Sequence, residues 1–144
     1  VTVGAQQVYS IMALDIGEQR TGVALANSIA GIASPLTTIT SEALVEKVRE
    51  LVRQHDVAKL VVGLPRSLDG SDTLQTNYVR QVAKELEKQL QLPIHFIDEA
   101  VTSKTAEAEL KARKKPYRKE DIDMLAATYI LEDFLRESSE VTGV

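Results

Sequence analysis

The chain has 144 residues, 44% hydrophobic and 26% charged, which suits one soluble globular domain with a real core and leaves no room for two. A net charge of −4, from 17 basic and 21 acidic side chains, argues against a protein that coats nucleic acid non-specifically, since such proteins are basic overall. The absence of cysteine excludes disulfides, thiolate metal sites and a Cys nucleophile, and no apolar run approaches the roughly 20 residues that span a bilayer.

The N-terminus opens on Val1 without an initiator Met, which points to a processed or trimmed end, and it lacks the basic start and long apolar stretch of a secretion signal. A cytoplasmic protein without a membrane partner is expected. Tyr9 to Leu14 is short, apolar and strand-compatible. It delivers Asp15, reverses through Gly17, and leaves again from Thr21 to Ala26, the pattern of a hairpin. Gly31 to Thr40 reads as an edge strand, because Pro35 cannot donate to an interior ladder. Thr40 or Ser41 is placed to cap a helix whose apolar positions Leu44, Val48, Leu51 and Val52 carry it to about His55. Lys59 to Leu64 is nearly continuously apolar, as a strand buried on both faces should be.

A turn-rich loop, Pro65 to Ser71, follows. Asp72 and Gln75 have capping-box spacing at the head of an amphipathic helix that runs to about Leu92 and is ended by Pro93. Ile94 to Glu99 forms another strand ending in carboxylates. Thr102 opens a helix to about Ala112, and Lys111 to Lys119 then places six basic residues within nine positions. A last helix spans about Glu120 to Arg136. Residues 1–8 and 138–144 read as frayed ends of a single domain covering 1–144.

Three strands joined by short turns, then alternating helices and strands, describe an α/β domain. Right-handed parallel crossovers add the fourth and fifth strands beside the first, giving a five-stranded mixed sheet in the order 3-2-1-4-5 with helices on both faces. That connectivity brings Asp15 and the Asp98–Glu99 pair to one rim, close to Glu120, Asp121 and Asp123 at the head of the last helix. With two His and no Cys, a metal held there needs oxygen ligands and suits Mg²⁺ or Mn²⁺. Gathered carboxylates repel unless a cation or a proton relieves them, and such sites hydrolyse phosphodiesters.

Each acid also has a plainer role. Asp15 fits an Asp-x-Gly turn, and Glu120 and Asp121 complement a helix dipole. Asp123 shares a face with Ala126, Ala127 and Ile130, where an unpaired charge is harder to dismiss. Strand alternation points Asp98 and Glu99 oppositely, and the sequence does not choose between them. His55 and His95 lack partners at ligand spacing and read as structural, while Ser67, Ser71, Thr102 and Ser103 read as turn and cap residues. Arg66 is placed to reach a phosphate, and the basic run is either a solvated face or a collar beside the acids.

Four segments together resemble the YqgF (RuvX) family, described as Holliday junction resolvases and as pre-16S rRNA nucleases with a ribonuclease H-like fold. They are Asp15-Ile-Gly-Glu-Gln-Arg20-Thr-Gly-Val-Ala24, Gly31 to Ile39, Val61-Val-Gly-Leu-Pro65 with Leu68-Asp-Gly-Ser71, and Asp98-Glu99 followed by Ile122 to Leu131. The resemblance implies a three-layer ribonuclease H-like domain and an acidic triad, Asp15, Glu99 and Asp123, that binds Mg²⁺ or Mn²⁺ and catalyses hydrolysis. It also implies structured RNA as substrate, with branched DNA second, and a monomer or homodimer. Arg20, Arg66, Arg113, Lys114 and Lys115 are the expected phosphate contacts. The family's usual Arg after Asp-Glu is Ala100 here, which removes a cation beside Glu99. A non-catalytic nucleic-acid-binding module is the alternative of another class. A half-domain of an actin-like ATPase is disfavoured by length.

Overall fold

The computed structural model describes residues 2–3, 6–99 and 102–142. Two short strands, β1 (Thr2–Val3) and β2 (Gln6–Gln7), pair with each other. The main sheet contains β3 (Ser10–Ile16), β4 (Arg20–Asn27), β5 (Ser34–Thr40), β6 (Val57–Pro65) and β7 (Ile94–Glu99), ordered β5-β4-β3-β6-β7. β3, β4 and β5 are antiparallel neighbours, and β6 and β7 add in parallel, so the expected 3-2-1-4-5 mixed sheet is the one that forms. Pro35 lies on the edge strand, next to a register shift between Val23 and Ala24 that accommodates its missing donor.

Alternation along the strands sorts the side chains into two cores. Met12, Leu14, Ile16, Leu60, Val62 and Leu64 pack with α1 (Leu44–Gln54) and α2 (Leu74–Leu90) on one face. Ile11, Ala13, Ala24, Ala26, Val61 and Ile97 pack with Ala127, Ile130 and Leu131 of α4 (Lys119–Thr142) on the other. The second interface is built from small residues, and α4 therefore lies close against the strands. α3 (Thr102–Ala112) packs beside α4.

Three local features differ from the expected ones. Thr73, not Asp72, forms the capping box, with Thr76. The Asp72 carboxylate is taken by Arg80 and lies 3.5 Å from Arg66. Thr40 makes no side-chain cap. A 3-10 turn, Ser41–Ala43, leads into α1, and Ser41 Oγ donates to the Glu18 carbonyl at 2.6 Å. α4 runs past Arg136 to Thr142. Of the ends expected to fray, Val1, Gly4, Ala5, Gly143 and Val144 lie outside the described residues, as does Ala100.

Two glycines set how closely α4 approaches. A Cβ on Gly22 would stand 1.9 Å from the Asp123 backbone oxygen, whereas one on Gly63 would meet only the Ile130 side-chain tip, at 2.3 Å. Backbone cannot yield as a side chain can. Gly22→Ala should therefore cost about 3 kcal/mol or more, and Gly63→Ala clearly less, read from urea unfolding midpoints. Equal losses would contradict this account of the helix position.

Candidate active site

Asp15 follows Ile11 and Ala13 in the alternation of β3, so it faces α4 from the end of its strand. Its cross-strand partner in the hairpin is Gly22, the residue on which the Asp123 backbone rests. The hairpin and the helix thus bring Asp15 and Asp123 together. Arg20 Nε donates to Asp123 Oδ2 at 2.6 Å, across 103 positions of sequence. Thr38 Oγ1 donates to the Glu120 carbonyl at 3.0 Å and ties the head of α4 to β5. Burial, then the adjacent Asp123 charge, pushes the Asp15 carboxyl up to about 6.

Parity in β7 decides between the two terminal acids. Glu99 shares the α4 face with Ile97 and His95, while Asp98 points the other way, exposed, 3.4 Å from Arg66 Nε. Glu99 is nevertheless set apart from the Asp15–Asp123 pair, since β6 lies between β3 and β7 and neighbouring strands are about 4.8 Å apart. Its carboxyl turns to Asp133 further along α4. Burial, the hydrogen bond to Asp133 and the charges of Asp133 and Glu137 push Glu99 up to about 8. Asp133 is held low in spite of burial, through hydrogen bonds with Glu99 and Arg136. Glu99 Oε1 is buried without a hydrogen-bond partner among the described residues. The rim therefore carries two acidic pairs on one face, and no three acids stand at metal-ligand spacing among the described residues.

The other candidates separate by position. Asp121 accepts from the Arg118 N–H at 2.8 Å, a helix-start role. His55 ends α1, and the His95 ring packs on Phe134 with centroids 5.3 Å apart. Ser67 and Ser71 bond Asp69 and, with the Ser71 N–H, hold its carboxyl down at about 2, which orders the loop after β6. Arg113 pairs with Glu109, itself bonded by Tyr129 Oη at 2.5 Å, and lines a groove of about 510 Å³ with Lys115 and Tyr117. Lys114 is exposed and ends α3 in the left-handed region, at φ 57°. The depression beside Asp123 is a different one, lined by Arg20, Lys104, Glu107, Lys119 and Ile122, and it shares no residue with that groove. Lys104 and Lys119 were not singled out from the sequence. Lys119, four positions before Asp123, had a helical spacing that signals proximity; Lys104 had none.

A five-stranded mixed sheet in this order between two layers of helices is the ribonuclease H-like fold. RuvC from Thermus thermophilus aligns at TM-score 0.55 and 10% identity over 91% of this chain and 96% of that one. The T. thermophilus RuvC complex with a Holliday junction substrate gives 0.53 and 13% over 90% and 95%. Residues 9–137 match the RuvX family, described as Holliday junction resolvase, and the chain belongs to that family. Curated relatives named "Putative pre-16S rRNA nuclease" include those of Crocosphaera subtropica, 43% identical over 88% of this chain and 92% of the relative, and Moorella thermoacetica, 42% over 87% and 93%.

The raised Asp15 carboxyl has a thermodynamic consequence in metal-free protein. Its folded value of about 6 lies above the ordinary 3.8, so its contribution is intact below pH 4, is lost between about pH 4 and 6, and stays lost above. Asp15→Asn should therefore stabilise the metal-stripped protein by on the order of 2–3 kcal/mol at pH 7.5 and by little at pH 4. Urea unfolding across that range checks it, and a difference independent of pH would contradict it.

Proposed function

We propose that this chain is a divalent-metal-dependent endonuclease that cuts structured RNA, in the maturation of the 5′ end of 16S ribosomal RNA in the cytoplasm. The observation that carries the chemistry is the Asp15–Asp123 pair: two hard oxygen donors in a partly buried corner where burial, and then the neighbouring Asp123 charge, pushes the Asp15 carboxyl up. Mg²⁺ and Mn²⁺ suit such a corner, because Mg²⁺ is typically held by one or two carboxylates and completes its shell with water and substrate phosphate. A bound ion supplies activation of the attacking water and neutralisation of charge on the phosphoryl group.

The protein's part is placement. Asp15 and Asp123 would hold the ion. Arg20 fixes the Asp123 carboxylate through Nε, and Gly22 fixes the backbone beneath it. Glu99 is the third acid of the proposed set; its carboxyl bonds Asp133. The RNA substrate is favoured by relatives at about two-fifths identity that carry the pre-16S rRNA nuclease name. The family description favours branched DNA as the second reading, for which a homodimer would place two sites symmetrically on a junction.

Mg²⁺ or Mn²⁺ should be required for cleavage of a precursor-rRNA fragment. Asp15→Asn and Asp123→Asn should each reduce the rate by more than about 100-fold while remaining folded, since each removes a charged ligand. Glu99→Gln measured beside them reports whether Glu99 leaves Asp133: a matching loss places it on the ion, a small one leaves it where it is. Full activity in both Asp variants would overturn the assignment, and a four-way DNA junction cleaved in preference to the RNA would favour the second reading.

A further inference from the structure

We propose that the depression lined by Arg20, Lys104, Glu107, Lys119, Ile122 and Asp123 is a phosphate-binding subsite, and that Lys104 and Lys119 hold a backbone phosphate of the nucleic-acid strand beside the Asp15–Asp123 pair. The proposal rests on the nuclease reading above and adds to it the route along which the strand enters. The depression has a volume of about 270 Å³ and lies between the head of α3 and the head of α4. Asp123 is in its wall, so an anion seated there touches the acidic corner directly.

Arginines around this depression are paired, whereas its lysines, like Lys111 and Lys114 of the basic run, are in no ion pair among the described residues. Arg66, Arg80, Arg113 and Arg136 each pair with a carboxylate of this chain. Arg20 gives Nε to Asp123. Lys104 and Lys119 are exposed, and neither has an ion-pair partner among the described residues, although Glu107 and Asp123 line the same depression. Among the lining residues, Arg20, Lys104 and Lys119 outnumber Glu107 and Asp123 by one charge, and the two ammonium groups can each offer hydrogens to a phosphate oxygen.

The groove around Tyr117 has the opposite balance. Arg113 there is taken by Glu109, and Lys115 faces Asp121 and Glu132 as well. A polyanion is therefore received on the Lys104–Lys119 side and not along the basic run as a whole.

The test uses the full chain, metal-stripped, with a fluorescein-labelled RNA hairpin carrying a single-stranded 5′ extension, and reads anisotropy across a KCl series. The double variant Lys104→Gln/Lys119→Gln should bind about 10-fold more weakly, and the slope of log Kd against log salt should fall by about 1 to 2, one lost phosphate contact per lysine. Glu107→Gln should tighten binding. The control Lys84→Gln/Lys88→Gln removes the same charge from α2 on the far face of the sheet and should leave the slope unchanged. In cleavage assays with Mn²⁺ the Lys104/Lys119 variant should raise KM far more than it lowers kcat. If the wild-type chain binds and the Lys104/Lys119 variant binds equally, or the α2 control falls as far, the subsite is wrong and the nuclease reading stands. If the wild-type chain binds neither this RNA nor a DNA junction at any salt, the nuclease reading itself fails.

Discussion

The contact between Gly22 and the backbone of Asp123 governs the rest of the molecule. A hydrogen is the largest substituent that fits under the Asp123 carbonyl, so α4 can settle on β4 only where that glycine stands. From this point α4 crosses the sheet over Ala13 and Gly63 to β7, and the small residues beneath it keep it close. Gly22 is also the hairpin partner of Asp15. One steric fact therefore fixes the helix, one edge of the second core, and the proximity of two acids far apart in the chain.

That proximity is electrostatically unfavourable without an added cation. Arg20 answers Asp123, while burial and the Asp123 charge leave the Asp15 carboxyl raised. The proposed divalent ion would relieve this repulsion, and the nearby lysines would extend positive potential outward to where a phosphate would lie. The Glu99–Asp133 pair meets the same problem differently: its carboxyls are hydrogen-bonded, Glu99 is pushed up to about 8 while Asp133 is held low, and Arg136 lies alongside. Two acid pairs on one face thus differ in what relieves them.

Most of the fold was legible because it is local or topological. The apolar runs of β3, β4 and β6, Pro35 on an edge, Pro93 after α2 and right-handed crossovers lead to one sheet order, and that order aligned the rim. The same reasoning gave Asp15 and Asp123 a common site. It did not reveal that Glu99 turns toward Asp133, because the path of α4 across the sheet depends on side-chain volumes at Gly22, Gly63 and Ala127, which no periodicity encodes. The basic run shows a second limit. Sequence neighbours at 113–119 divide between two separate depressions once α3 ends at Ala112 and α4 begins at Lys119. Lys104, with no motif around it, reaches the acidic corner only through the packing of α3 on α4.

The most direct measurement is a crystal structure of the protein soaked in Mn²⁺, with anomalous scattering used to locate the ion. An anomalous peak bridging the carboxylates of Asp15 and Asp123 is the predicted result. A peak held by Glu99 and Asp133 with Asp15 and Asp123 unliganded, or no peak on this rim at saturating Mn²⁺, would contradict it.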